Sequence, residues 1–225
     1  MKKIMISIGI IVFLSIQQNV IAQTSITEGV VIYDLQMDVT EVMTLSTAML
    51  PTEMTVKFKG TKNRTEFETG ASKTVAINDS KDSKSGVVLL DIMNNKYAMK
   101  IDEYKINQQV ANMPDYEPIE TEETKLIAGY KCKKVILVDK NTKNEVTIFY
   151  TKEIPFIANS INAEFKIIEG FPMEYFTTIY NVKMTVTVKE IKKIKVSDEE
   201  FIVPSGYKTT TQDELMKELS GSMGE

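Results

Sequence analysis

Apolar and polar residues alternate along most of this chain. Val31, Tyr33, Leu35, Met37 and Val39 interleave with Ile32, Asp34, Gln36, Asp38 and Thr40; Met54, Val56 and Phe58 interleave with Thr55, Lys57 and Lys59. Arg64, Glu66 and Glu68 stand against Thr65, Phe67 and Thr69, and Val75 with Ile77, then Val88, Leu90 and Ile92, then Tyr97, Met99 and Ile101 continue the series. Successive side chains of a strand point to opposite faces, so each run predicts a half-buried strand. Lys62-Asn63, Asn78-Asp79-Ser80 and Asn94-Asn95 supply turns between them. In the second half, Glu122–Ile127 and Tyr130–Asp139 are strands meeting at Gly129, Val146, Ile148 and Tyr150 mark another, Glu164–Ile168 a short one and Glu174–Val188 a long one. Beyond Val188 the phase slips, because Ile191 and Ile194 leave the register; this predicts a bulge or turn near Lys189-Glu190. About ten to twelve short strands at spacings near ten residues make a mainly β chain with an antiparallel sheet.

The helical period is scarce. Thr211-Gln212-Asp213-Glu214 has the form of a capping box, with Leu215, Met216 and Leu219 as an apolar stripe behind it, so a short C-terminal helix is expected. Residues 103–113 carry a weaker stripe, Tyr104, Ile106, Val110 and Met113, after which Pro114 and Pro118 predict a loop. Residues 41–52 fit neither period, yet hold Val42, Met43, Leu45, Met49 and Leu50. A loop that merely crossed the surface would be polar. This insert is therefore expected to fold back, either onto a concave sheet face or as a helix on an ordinary core; periodicity leaves both open. No internal repeat or linker divides the rest. The expected organisation is a signal peptide at 1–22, one domain at 24–208, and a C-terminal helix and tail at 209–225.

The N-terminus suggests export. Lys2 and Lys3 precede an apolar run from Ile4 to Ile16, and Val20-Ile21-Ala22 offers a cleavage site. The run is shorter than the roughly 20 residues a spanning helix needs, so no transmembrane span is expected after signal removal. No cysteine follows it, which excludes N-terminal lipid attachment. The expected location is periplasmic or secreted. Loss of Lys2 and Lys3 turns 27 basic and 31 acidic residues into 25 and 31, a net charge of −6. That mild acidity argues against nucleic acid as a partner.

The candidate chemistry is thin. Histidine is absent and Cys132 is the sole cysteine, so the chain alone builds no Ser-His-Asp triad, Cys-His dyad, histidine metal site or cysteine-rich zinc site. Glu66 and Glu68 share one strand face, a spacing that suits acid–base work and equally any solvated face. Glu120, Glu122 and Glu123 form an acidic cluster without an EF-hand loop. Cys132 has lysine neighbours but shares its phase with Tyr130, Ile136 and Val138, which points it into the core. Lys183, Lys189, Lys192, Lys193 and Lys195 make a basic stretch without interleaved aromatics, better suited to a solvated face. No enzyme activity, metal or cofactor is expected. Methionine is the more suggestive signal: thioethers fill core gaps and also line surfaces that accept varied apolar ligands.

Four segments in order carry a family resemblance. Thr124-Lys125-Leu126-Ile127-Ala128-Gly129-Tyr130-Lys131-Cys132-Lys133-Lys134 resembles a K-x-I-A-G-Y-x-C-x-K signature, and Phe149-Tyr150-Thr151-Lys152-Glu153-Ile154-Pro155 a W/Y-T-x-D/E-I-P segment. Gly170-Phe171-Pro172-Met173 is similar to a G-x-P-L/M turn, and Phe201-Ile202-Val203-Pro204-Ser205-Gly206-Tyr207 to a closing F-x-x-P-x-G-Y. Together they resemble secreted Bacteroidota proteins of unknown function akin to the GLPGLI group. By fold analogy the resemblance implies a curved antiparallel half-barrel like that of the LolA and LppX lipoprotein or lipid carriers. One or two short helices would then pack on or in the concave face, with residues 41–52 as a plug.

Two functions follow as expectations. In the first, the half-barrel holds a lipid, acyl chain, lipoprotein or other apolar ligand without catalysis, against Met37, Met43, Met49, Met54, Phe58, Met99 and Met184. In the second, the core is filled and the chain is a structural or interaction module that docks an envelope protein through a sheet edge or the basic stretch at 183–195.

Overall fold

The structure, a computed structural model, describes residues 26–38, 50–70, 72–101, 104, 108, 111–157, 162–179 and 182–222. The signal segment 1–22 and nearly all of the apolar insert 41–52 lie outside the described residues, Met43 and Met49 among them. Of the candidate helix at 103–113 only Tyr104, Gln108 and residues 111–113 are described; there the Asn112 N–H donates to the Gln108 carbonyl, a helical bond.

The strands are β1 (Glu28–Met37), β2 (Glu53–Lys59), β3 (Lys62–Thr69), β4 (Ser72–Asp79), β5 (Asp82–Ile92), β6 (Asn95–Ile101), β7 (Tyr116–Ile127), β8 (Tyr130–Asp139), β9 (Glu145–Thr151), β10 (Phe171–Ile179), β11 (Val182–Lys192) and β12 (Lys208–Thr210). Helix α1 (Gln212–Ser222) follows. All twelve strands join one curved, unclosed sheet, ordered β12-β6-β5-β4-β3-β2-β1-β11-β10-β9-β8-β7. Every pairing is antiparallel except β12 on β6. The architecture is the half-barrel type that the sequence resemblance implied.

Alternation builds the core as expected at its centre. Val31, Tyr33 and Leu35 on β1, Met54, Val56 and Phe58 on β2, and Met184, Val186 and Val188 on β11 are buried on one face. Buried residues of β7–β10 complete this main cluster, and the β9–β10 connection adds Ile154, Phe165 and Ile168 to it. The predicted slip is a bulge: Ile32 pairs Glu190 while Tyr33 pairs Val188, so Lys189 is the extra residue.

A second, smaller core lies on the opposite face. Val75, Ile77, Leu89 and Ala98 point away from the main cluster, and Phe201 and Tyr207 pack against them from the segment between β11 and β12. That segment is a strap. Ion pairs from Lys57 to Glu200 and from Lys59 to Asp198, each 2.8 Å, tie it across β2, and Arg64 donates to the Glu200 carbonyl on β3's side. Two-sided burial explains why Leu89, placed among polar-phase positions by alternation, is one of the deepest residues of β5.

Four local expectations are corrected. Residues 163–167 are a 3₁₀ turn rather than a strand, with Phe165 and Ile168 buried three apart, the period of that helix. The run 174–188 is two strands, β10 and β11, closed by the pair Ile179 and Val182. Pro118 sits inside β7 rather than in a loop; β7 is an edge strand, where proline's missing N–H costs no ladder bond. In β8, Ile136 and Val138 are only half-buried, whereas Val135 and Leu137 are buried with Cys132: the buried phase changes between Cys132 and Val135, beside the irregular pairing of β7 from Glu120 to Thr124.

The turn expected at Lys62-Asn63 falls at Gly60-Thr61 instead, where Gly60 takes a positive φ of 59°, and Lys62 and Asn63 open β3. Elsewhere turn chemistry fits. Ala128 and Gly129 both have positive φ, 47° and 84°, the geometry of a two-residue hairpin turn that joins Ile127 to Tyr130. At Gly170 a Cβ would stand 2.6 Å from the Thr151 carbonyl oxygen, so the chain can pass β9 there only without a side chain. At α1 the Glu214 N–H donates to Thr211 Oγ1 at 3.2 Å and the Thr211 N–H to Glu214 at 2.9 Å, the reciprocal capping box. Leu215 is buried beneath the helix, while Met216, expected in its stripe, is exposed.

Candidate functional site

A cavity of about 660 Å³ opens at the end of the sheet where β1 ends and β11 begins. Its wall combines Tyr116, Val146, Glu164, Thr177, Lys183 and Met184 with the β8–β9 turn. β7 supplies Tyr116, β9 Val146, β10 Thr177 and β11 Met184, so four strands converge on it. Glu164 comes from the 3₁₀ turn of the β9–β10 connection.

The cavity is acidic. Four carboxyls, those of Asp38, Asp139, Glu145 and Glu164, line it against Lys183. Asp139 is committed to its own turn: it accepts from the Asn141 N–H at 2.8 Å and from Thr142 Oγ1 at 2.7 Å, bonds that hold its pKa below the usual carboxylate value. Burial raises the Glu164 pKa. Tyr116 is pushed up to about 12, first by burial and then by the Glu164 and Asp139 charges.

An aromatic cluster adjoins the wall. The Phe165 ring meets Tyr175 edge-on at 5.1 Å and Tyr116 at 6.4 Å. Tyr33 and Tyr175 are fully buried, and among the described residues neither hydroxyl has a hydrogen-bond partner. Burial raises both phenols far above their ordinary pKa. The periodicity put Tyr33 on the inward phase, and a tyrosine at such a phase is itself the signal, since its hydroxyl needs a partner inside. Tyr175, Phe165 and Glu164 carry no such mark, because by periodicity alone their turn looks like a strand and their hairpin like one long strand.

The structure spreads the sequence-predicted contacts along one face. Met54, Phe58 and Met184 are buried in the main cluster, and Met37 packs against it. Met37 and Met184 are direct cross-strand partners, and among the described residues of the predicted set Met184 alone lines the cavity. Met99 is half-buried on the same face, through the register Met99, Val88, Ala76, Thr65, Val56, but stands on β6, far along the sheet from Met184.

The other candidates resolve into structure. Glu66 takes bonds from Arg64 at 2.7 Å and Lys73 at 2.9 Å, with Lys57 at 3.2 Å, and Lys73 also reaches Glu68. Burial opposes ionisation there, but these partners outweigh it and bring Glu66 to about 2. A carboxylate so held is a poor proton donor at neutral pH. Glu120 accepts from the Tyr150 hydroxyl and Glu123 pairs with Lys134. Among the described residues no group of three or more His, Cys, Asp or Glu is placed to hold a metal ion. Cys132 is fully buried, and burial pushes its thiol up to about 11. In the basic stretch Lys189 pairs with Glu53, Lys192 with Glu190, and Lys193 lies over the Tyr130 ring. Among the described residues no helix is long and apolar enough to cross a membrane.

Residues 40–207 match the profile of a domain of unknown function, DUF4412. PNGF-II, solved in two crystal forms, is similar over 85% of this chain at 17% identity and a TM-score of 0.49 in one form, and over 87% at 16% identity and 0.50 in the other. This chain spans about a third of PNGF-II, 32% and 34% in the two forms, and at such identity the likeness is one of fold. A candidate outer membrane lipoprotein-sorting protein domain from Vibrio parahaemolyticus aligns with 79% of this chain and 90% of its own, at 8% identity and a TM-score of 0.31. No curated protein matches the chain.

Proposed function

The chain belongs to the DUF4412 family, a domain of unknown function, and from that premise we propose that it is an exported envelope protein that binds an apolar ligand, a lipid, acyl chain or lipoprotein, without catalysis. One observation carries the reading. The open sheet presents a continuous apolar face, covered partly by irregular chain rather than by a second sheet, and a cavity of about 660 Å³ opens beside it. Ligand pockets are concave, mostly apolar and of about 300–1,000 Å³, with a few polar groups that fix orientation. Pro114, Val146, Phe176 and Met184 provide apolar wall, and Thr177 and Tyr116, with the four carboxyls and Lys183, provide polar groups. The affinity with secreted Bacteroidota proteins akin to the GLPGLI group, and with it the periplasmic or secreted location, belongs to the same proposal and is supported by the four ordered sequence motifs.

Native mass spectrometry of protein purified from its own envelope tests this. A reproducible mass increment, released on unfolding and identified as lipid, is the expected result. A clean unliganded mass that stays unchanged after envelope lipids are added back refutes the reading.

A further inference from the structure

Tyr33 on β1 and Tyr175 on β10 stand on the core face with β11 alone between them. Among the described residues both hydroxyls are sealed without a partner, as are Asn63 Oδ1 and Thr65 Oγ1 on β3, whose residues face the same side through Phe58 and Val56. Buried polar atoms are nearly always paired, and an unmade bond to one is costly. Thr177, two residues from Tyr175 on the same face of β10, pairs with Met184, and both line the cavity; Phe165 packs edge-on against Tyr175 at 5.1 Å, and its neighbour Glu164 is part of the same wall. The two tyrosines therefore stand next to the cavity along the core face.

Their chemistry selects what can reach them. Both phenols are neutral, so they donate hydrogen bonds and supply no charge. An anionic acceptor would first pass four carboxyls with Lys183 exposed at the rim, and would then lose its hydration among apolar residues. An uncharged carbonyl meets neither barrier.

We propose that Tyr33 and Tyr175 are the polar anchors of the apolar ligand site, donating hydrogen bonds to an uncharged carbonyl oxygen, an ester or amide, carried on the ligand's apolar chain, which enters from the cavity. This rests on the binding function proposed above.

The test is titration calorimetry of the full chain with three probes of equal chain length: monolauroylglycerol, its ether counterpart dodecylglycerol, which lacks the carbonyl, and laurate. Wild-type protein binds the ester about tenfold more tightly than the ether, the effect of two neutral hydrogen bonds, and laurate more weakly than the ester at pH 7.5. The Tyr33→Phe/Tyr175→Phe protein binds ester and ether alike, with a melting temperature no lower than wild type. Equal wild-type affinity for ester and ether overturns the anchors while leaving the ligand site standing, and needs no variant to fold. Laurate binding more tightly than the ester overturns the uncharged acceptor. Binding of none of the three overturns the ligand site itself.

Discussion

Phe165→Ala is the sharpest probe of how the core face is closed. The Phe165 side chain is fully buried and sits between Tyr116 and Tyr175. Truncating a buried phenylalanine costs about 3–5 kcal/mol, from the lost transfer energy plus about 24 cal/mol for each Å³ of cavity that stays open. The edge-on contact with Tyr175 and the tilted one with Tyr116 contribute about 0.5–1.5 kcal/mol each beyond area burial, which places the expectation near the upper end, about 4–5 kcal/mol. Relaxation works against that. The turn is held by single backbone bonds, Phe165 N–H to Asn162 and Ile168 N–H to Phe165, so part of the void can collapse. For a chain of this size each kcal/mol lowers the melting temperature by about 2–4 °C, so a fall of about 10 °C is expected. Urea unfolding followed by circular dichroism reads it as a lower midpoint at unchanged slope. A loss below about 1 kcal/mol would show that the turn rests on the surface and does not seal the aromatic cluster.

Other consequences are as direct. Glu66 has a folded pKa of about 2 against an ordinary 4.5, so its stabilisation is complete above about pH 4.5 and is lost as pH falls toward 2; Glu66→Gln should cost about 1–2 kcal/mol at pH 7 and flatten urea midpoints across that acid range, and an unchanged acid limb refutes the network's role. The Cys132 thiol should resist a disulfide reagent at pH 8 in the folded protein and react fully in urea; rapid labelling of the folded chain would contradict its burial. Removing residues 208–225 strips β12 from β6 and uncovers Tyr97, whose hydroxyl donates to Glu218; self-association should rise in sedimentation experiments, and a strictly monomeric truncation would show that the β6 edge is not adhesive.

Much of this sheet was legible because one side of each central strand is buried. Val31, Tyr33 and Leu35 alternate with half-buried neighbours, and the register break at Lys189 appears in the sequence as two isoleucines out of phase. Legibility fails where a strand is buried on both faces or a segment's partner is distant. Leu89 is deep because Phe201 and Tyr207 come from more than a hundred residues away to cover it, and no local pattern records that. Residues 163–167 have strand-like composition, yet Phe165 and Ile168 reach the core only at a spacing of three. The site suffered most: methionines identify the apolar face, but which of them meets a cavity depends on strand order, and Met99 and Met184 share a face without sharing a pocket.

The position of β1 bears on how the molecule assembles. It precedes every other described strand in the chain yet lies within the sheet, between β2 and β11. Its bonds to β2 form locally, whereas its bonds to β11 join residues 30–37 to residues 184–192. Closing so long a loop costs about 4 kcal/mol of chain entropy before the seam returns anything. During synthesis from the N-terminus, one side of β1 therefore waits as a bare edge until β11 has emerged. The meeting of two meanders along this seam is thus the expected slow step of folding. Its characteristic error is an exchange in which the β11 of one copy completes the β1 of another.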